Sequence, residues 1–355
     1  MAPVIKALQQ HPERIDVKVC VTAQHREMLD QVLHFFDIVP DVDLDLMRHN
    51  QDLYSLTSDI LLGLKEVLCR YAPHIVLVHG DTTTSTATAL AAYYARIPVG
   101  HVEAGLRTYN KNAPFPEELN RQVTGRIASL HFAPTEVAKT NLLNEHIPEA
   151  DITVTGNTVI DALHWAKERL EHYSDEEIHH LQSIIHVQKK LILVTAHRRE
   201  NLGSGMVNIC SALREIALRN DVEIVFPVHL NPGVKEPVHQ MLSDIPNITL
   251  LPPLGYPAFT WLMIRAHLII TDSGGIQEEA PGMGKPVLVM REVTERPEAV
   301  TAGIVKLVGT QEQHIINEAE TLLSNDDVYT RMSQAANPYG DGHSAARIVD
   351  ALLQL

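Results

Sequence analysis

The sequence predicts an α/β protein of two doubly wound domains, and three observations carry that prediction. Apolar runs of strand length alternate with helix-length segments almost throughout the 355 residues. The runs are apolar without a break instead of alternating, as strands of a parallel sheet read when helices cover both faces. The chain is also too long for one ordinary core and comfortable for two domains. In such sheets ligands collect beyond the carboxyl ends of the strands, so a ligand in a cleft between the two domains is expected.

Taken in order, residues 1–8 read as a helix with Pro3 near its first turn, where a missing N–H costs little. An alternating chain more often begins with a strand, so an upstream segment is expected. A strand over Val17–Thr22 and a helix over 26–36 follow, then an aspartate-rich loop over 37–53. Leu56–Tyr71 has helical spacing, His74–His79 reads as a strand and Thr83–Ala95 as a small-residue helix. Next come a short buried strand, Pro98–Glu103, a helix over Glu118–Ser129, and strands over 130–134 and 152–156. A polar helical region, 158–190, marks the boundary. Beyond it, strands are predicted at 191–195, 223–228, 248–251, 268–271, 286–290 and 305–308, each pair separated by a helix-length segment.

Composition narrows the function classes. With 45% hydrophobic and 21% charged residues the chain is an ordinary globular protein. A formal charge of −15 argues against general binding to nucleic acid or anionic membranes, but leaves room for a small anionic ligand at a local site. No apolar run approaches the ~20 residues needed to span a bilayer, and no secretory leader is visible. Cys20, Cys69 and Cys210 lie far apart in or beside apolar stretches, so buried free thiols in a reducing cytoplasm are expected. No His or Cys spacing predicts a metal.

Polar residues recur where strands end. Asp81, in His79-Gly80-Asp81-Thr82-Thr83-Thr84, either caps the next helix or serves a ligand. Glu103, in His101-Val102-Glu103-Ala104-Gly105-Leu106-Arg107, either pairs with Arg107 or does chemistry. Glu117 opens a helix after a proline-bracketed loop, where an acid also suits the helix dipole. His197-Arg198-Arg199-Glu200 ends a strand before a Gly-Ser-Gly loop and suits a diphosphate by charge and by bidentate hydrogen bonding. His229 repeats the strand-end placement. In Asp272-Ser273-Gly274-Gly275-Ile276-Gln277-Glu278-Glu279, two glycines at a strand–helix junction let a backbone approach an anion, and the carboxylates suit sugar hydroxyls. The plainer reading is a tight turn with Asp272 or Ser273 as its cap.

Taken together these motifs resemble the bacterial non-hydrolysing UDP-N-acetylglucosamine 2-epimerases. Gln24-His25-Arg26-Glu27-Met28, Pro116-Glu117-Glu118-Leu119-Asn120-Arg121, Thr155-Gly156-Asn157-Thr158, Glu295-Arg296-Pro297-Glu298 and Asn337-Pro338-Tyr339-Gly340-Asp341-Gly342 extend the likeness over essentially the whole chain. The resemblance implies a glycosyltransferase-B-like pair of Rossmann-like domains facing across a cleft. The first would take 1–160 plus a C-terminal helix, 343–355; the second, 161–342, would bind UDP. It implies reversible C2 epimerisation of UDP-N-acetylglucosamine through loss and re-addition of UDP, supplying cell-surface polysaccharide synthesis, in a cytoplasmic homodimer without cofactor or metal. Matched residue by residue, Asp81, Glu103, Glu117 and His197 are the catalytic candidates. Arg198, His229, Ser273, Gly274, Gly275 and Glu279 would bind UDP. Gln24, Arg198 and His229 also match a regulatory site at which substrate activates some members.

Two departures stand out. The Gly-Thr-Arg-Pro-Glu loop and first strand that the resemblance places before residue 1 are not in the sequence, which predicts poor stability and little activity if this chain is the natural product; a misassigned start codon or an incomplete gene is the favoured expectation. Asp59 occupies a position where an Arg is expected in the regulatory site. The competing readings are a hydrolysing relative that releases N-acetylmannosamine and UDP, a retaining glycosyltransferase of the same fold, and an inactive truncated copy.

Overall fold

The computed structural model describes residues 1–22, 26–46, 48, 51–186, 188–294 and 296–355, with the backbone alone at 26–28. Gln24 and Glu295 therefore lie outside the described residues. The chain separates into two compact units, Met1–Ala162 with Tyr339–Leu355, and Leu163–Pro338.

The first unit runs α1 (Ala2–Leu8), β1 (Cys20–Val21), α2 (Arg26–Phe35), β2 (Val42–Asp43), α3 (Leu53–Tyr71), β3 (Val76–His79), α4 (Thr83–Tyr94), β4 (Val99–Val102), α5 (Glu117–Ile127), β5 (Leu130–Ala133), α6 (Glu136–Asn144) and β6 (Ile152–Val154). Strands β3-β4-β5-β6 form a parallel sheet in sequence order, while β1 and β2 pair separately. The strand expected over 17–22 thus shrinks to two residues, and the loop expected over 37–53 contributes its partner. The cause is local: the Asp41 carboxylate accepts the Val19 N–H at 2.8 Å, and the Val19 carbonyl accepts the N–H groups of Asp41 and Val42. Helix α3 starts three residues before its apolar periodicity does, because Asp52 caps it by accepting the Ser55 N–H at 2.7 Å. Its Leu56, Ile60, Leu64 and Leu68 pack with Val78, Val99 and the alanines of α4, whose small side chains admit a close approach.

The second unit begins within α7 (Thr158–Arg169) and continues α8 (Glu176–Ile184), β7 (Lys190–Thr195), α9 (Ser204–Ile216), β8 (Val222–Pro227), α10 (Pro232–Leu242), β9 (Ile248–Leu251), α11 (Tyr256–Arg265), β10 (Leu268–Thr271), α12 (Ile276–Gly282), β11 (Val287–Val289), α13 (Pro297–Thr301), β12 (Val305–Leu307), α14 (Glu312–Ser324) and α15 (Asp326–Ser333). The chain then returns to the first unit as α16 (Ser344–Leu352), where Ile348 and Val349 share a core with Val4 and Leu8 of α1 and Phe132 of β5. The six strands are parallel in the order β12-β11-β10-β7-β8-β9. Strand order reverses between β7 and β10, which lie side by side with Thr195 opposite Thr271. In open α/β sheets, ligands bind beyond the carboxyl ends of the strands at such a reversal.

The cysteine expectation needs correction: Cys210 is buried in the second core, but Cys20 and Cys69 are exposed. Cys69 follows Leu68 on α3, and one step of about 100° carries it off the core-facing stripe. Among the described residues no helix is long and apolar enough to cross a membrane.

Gly105, at φ +90°, would place a Cβ 2.3 Å from the Ala138 carbonyl oxygen. Gly203, at φ +77°, has open space instead. Gly105→Ala should therefore cost about 3 kcal/mol or more, and Gly203→Ala only about 1 kcal/mol of backbone strain. Thermal melts of the two variants check this, and equal losses would contradict it.

Candidate active site

In the first unit the site residues stand at the carboxyl ends of β3 and β4 and at the start of α5. The turn after β3 depends on Gly80, whose φ of +66° favours glycine. Its carbonyl lies 2.8 Å from His101 Nε2. Since a carbonyl only accepts, that nitrogen carries the proton. Burial pushes the His101 imidazole down to about 4 and keeps it neutral.

Asp81 does not cap α4. Thr82 does, accepting the Ser85 N–H at 3.2 Å. The freed Asp81 carboxylate receives the Arg121 guanidinium instead, with Nε at 2.9 Å and a second nitrogen at 2.7 Å. Arg121 also reaches Glu118 at 3.3 Å. Glu118 is fully buried and accepts the backbone N–H groups of Thr108 and Tyr109 and the amide of Gln122, at 2.9, 3.1 and 2.9 Å. It anchors the loop ahead of α5, so its neighbour Glu117 is not held in that way. Glu117 keeps one carboxylate oxygen buried without any hydrogen-bond partner among the described residues.

Glu103 and Arg107 do not pair. Arg107, with its side chain fully buried, forks onto Glu145 at 2.7 and 2.9 Å. Glu103 sits in the left-handed region, φ +64°, at the end of β4. One of its oxygens lies 3.5 Å from His79 Nε2, and the other accepts the Asn157 side-chain amide at 3.3 Å. Burial holds the His79 imidazole well below its ordinary range. Backbone strain of this kind at a strand end is characteristic of functional sites.

In the second unit the switch point brings two motifs together through one residue. Asp272, just past β10, is fully buried. Its carboxylate accepts the His197 N–H at 3.0 Å, the Arg198 N–H at 2.9 Å and the Asn201 amide at 3.0 Å, and lies 3.2 Å from His197 Nδ1. It is thus neither a cap nor a ligand group but the tie that shapes the His197–Asn201 loop across the strand pair. Burial pushes His197 below its usual range, against the pull of Asp272 and with help from Arg198 and His229. Its ring stacks on His229 at a centroid distance of 5.9 Å. His229 Nδ1 accepts the Asn231 N–H at 3.1 Å, so a proton on this ring sits on Nε2 when it is neutral.

Ser273 donates its N–H to the Thr271 hydroxyl at 2.9 Å, and its carbonyl accepts from the buried Gln277 amide at 3.1 Å. Gln277 in turn accepts the Thr294 hydroxyl at 2.6 Å, and Arg296 binds Glu278, so Thr294 and Arg296 are both tied to α12. Gly275 has an ordinary helical φ of −60°; a Cβ there would meet only Glu279 Oε1, at 3.8 Å. Its glycine is not a demand of the turn, and the space in front of it is clear. The Glu279 carboxyl is pushed up to about 7 by burial and by the charge of Glu278, against the pull of Arg296.

Asp81, Glu103 and Glu117 thus lie in the first unit, and His197, Arg198, His229, Ser273, Gly274, Gly275 and Glu279 in the second. Gln24 is outside the described residues. Asp59 is engaged by Gln51 at 3.2 Å and by Arg48 at 3.5 Å. Sequence reasoning did not single out Arg121, Asn157 or the tying role of Asp272. A buried acid facing backbone donors leaves no spacing signature, although the strand-end position of Asp272 was visible.

A sequence profile described as UDP-N-acetylglucosamine 2-epimerase matches residues 6–353. The UDP-N-acetylglucosamine 2-epimerase of Salmonella typhimurium is 57% identical over 355 residues, covering 99% of this chain and 94% of the relative. That of Escherichia coli K12 is 55% identical over 356 residues, with the same coverage. Among solved structures, the UDP-GlcNAc 2-epimerase of Neisseria meningitidis bound to UDP-GlcNAc has a TM-score of 0.91 at 50% identity, covering 100% of this chain and 96% of that one. The Methanocaldococcus jannaschii enzyme in complex with UDP-GlcNAc and UDP has a TM-score of 0.80 at 34% identity, with the same coverage. The folds of these relatives are glycosyltransferase-B-like pairs of α/β domains, and this chain shares that fold.

If Asp272 is the tie, Asp272→Ala strands three donors and should lower the stability of the second unit by about 3 kcal/mol or more. Chemical denaturation followed by tryptophan fluorescence reads it, since Trp165 and Trp261 both lie in that unit. A loss under about 1 kcal/mol would contradict the assignment.

Proposed function

This chain belongs to the UDP-N-acetylglucosamine 2-epimerase family, and from that premise we propose how its residues carry out the epimerisation. The reaction inverts C2 of UDP-N-acetylglucosamine, giving UDP-N-acetylmannosamine. C2 has no neighbouring carbonyl to acidify its proton, so direct removal is very costly. In the proposed route the C1–O bond breaks with its electron pair going to the β-phosphate oxygen while C2 loses its proton. The products are UDP and 2-acetamidoglucal. UDP oxygen then re-forms the bond to C1 as a proton is delivered to the opposite face of C2. The route needs acid/base groups for the C2 proton and polar groups for the departing diphosphate.

The observation that carries the assignment of the acids is Glu117, whose carboxylate oxygen is buried with no partner among the described residues. Such an atom costs free energy unless a ligand supplies what the protein does not. Glu117, Glu103 and Asp81 are assigned to the C2 proton and the sugar, with Arg121 fixing the direction of the Asp81 carboxylate through its two contacts. His197, Arg198 and His229 are assigned to the diphosphate with Ser273, Gly274 and Gly275, whose cleared face supports this reading. A diphosphate beside His197 favours its protonated form, which suits it to meet the charge that develops as UDP leaves. Glu279 is assigned to the ribose hydroxyls. The nucleotide substrate supports action in the cytoplasm, and the family resemblance supports a homodimer.

Glu117→Gln should lower turnover by roughly 10²–10⁴-fold and suppress entry of solvent deuterium at C2. The product of the unaltered chain should remain nucleotide-linked, and free N-acetylmannosamine as the main product would favour the hydrolysing reaction instead. Glu279 gives a pH prediction. The ionised carboxylate accepts the ribose hydroxyls, and the empty site titrates at about 7. Uridine affinity should therefore rise about tenfold between about pH 6 and about pH 8 and become flat in Glu279→Gln. Calorimetric titrations across that range decide it, and an unchanged slope in the variant would count against the ribose assignment.

A further inference from the structure

The Tyr339–Gly342 turn has no function in the reaction as described so far, yet it is pinned tightly to the strand end that carries Asn157. The Tyr339 carbonyl accepts the Asn157 N–H at 2.6 Å. Gly340, at φ +144°, brings its backbone so close that a Cβ would lie 3.4 Å from the Asn157 nitrogen. On the neighbouring side Arg347 of α16 donates to the Thr155 carbonyl at 3.0 Å and forks onto Asp341 at 2.8 and 2.6 Å. Gly156, at φ +86°, is packed so closely that a Cβ would meet Ser344 Oγ at 2.7 Å. Asn157 itself is only 4% exposed.

Both ends of the Asn157 side chain are used, for different purposes. Its Oδ1 accepts the Val159 N–H at 3.1 Å and so helps to start α7. Its Nδ2 donates to Glu103 Oε1. A residue needed only to start the helix would be served equally well by aspartate, which caps at least as well as asparagine. Aspartate would lack the amide nitrogen that donates to Glu103. That carboxylate is confined elsewhere too: its other oxygen faces His79, and a Cβ on Gly80 would come within 3.2 Å of Glu103 Oε2. The strained φ of Glu103 shows that its surroundings, not its own backbone preference, set its direction.

We propose that Asn157 is a positioning residue for the Glu103 carboxylate, and that the Tyr339–Gly342 turn serves the reaction by fixing the direction of the Asn157 amide. The proposal rests on Glu103 acting at C2. The Asn157 amide donates to one Glu103 oxygen and thereby leaves that carboxylate few orientations, which is how a neighbouring group contributes to turnover without touching substrate. Substrate binding by the second unit does not depend on it.

Asn157→Asp in the full chain is the deciding variant, because it keeps the oxygen that receives Val159 and replaces the donor by an acceptor. The expected result is KM within about twofold and turnover lowered roughly 100-fold, with a melting temperature lowered by the second buried carboxylate facing Glu103. Asn157→Ser, which retains a hydroxyl acceptor but cannot span to Glu103, should show the same division between kcat and KM. In a Glu103→Gln background, Asn157→Asp should bring no further loss. Turnover of Asn157→Asp within about twofold of the unaltered chain, or a further 100-fold loss on top of Glu103→Gln, would overturn the positioning role. Wild-type deuterium exchange in Glu103→Gln alone would instead overturn the assignment of Glu103 on which it rests.

Discussion

A buried carboxylate at the strand-order reversal of a parallel sheet organises the second unit. The segment leaving β7 brings the N–H groups of His197 and Arg198 and the side-chain amide of Asn201 beside the Asp272 carboxylate, which accepts all three. An ionised group without access to water is very costly unless hydrogen-bonded, and here the backbone and Asn201 supply the bonds. The loop with His197, Arg198 and Arg199 therefore takes the one course that satisfies Asp272. The Ser273-Gly274-Gly275 turn starts one residue further along the chain, so the same contact fixes both motifs.

The first unit solves the same problem with a division of labour between adjacent acids. Glu118 takes the buried structural bonds and Arg121 bridges it to Asp81. Glu117, next to Glu118 in sequence, is left with an oxygen that has no partner among the described residues. Adjacent residues on a helix point about 100° apart, so one acid can serve the fold while the next serves a ligand. Glu103 obeys a related logic. Arg107, its apparent partner four residues on, is drawn off by Glu145, which leaves Glu103 to His79 and Asn157.

Much of this was legible beforehand for a simple reason: parallel strands buried on both faces announce themselves as unbroken apolar runs. The strands at 248–251 and 268–271 fall where the runs do. Two misread element bounds depended on single polar contacts: the early start of α3 follows from Asp52 and the two-residue β1 from Asp41. A cap or a side-chain bond to backbone changes an element by a few residues without changing its periodicity, so pattern reading passes over it.

By itself the sequence determined the class of fold, the alternation of elements and the strand ends at which polar residues gather, because hydrophobic period and motif order are properties of the chain read in one dimension. Only the tertiary structure decided which of those polar residues are spent on holding the backbone. Asp272 looked like a cap and is a tie. Asp81 looked like a cap and is not one. Arg107 looked like the partner of Glu103 and belongs to Glu145. A carboxylate bonds to whatever donors the fold brings within about 3 Å, and those donors come from segments distant in sequence. No spacing along the chain records that distance.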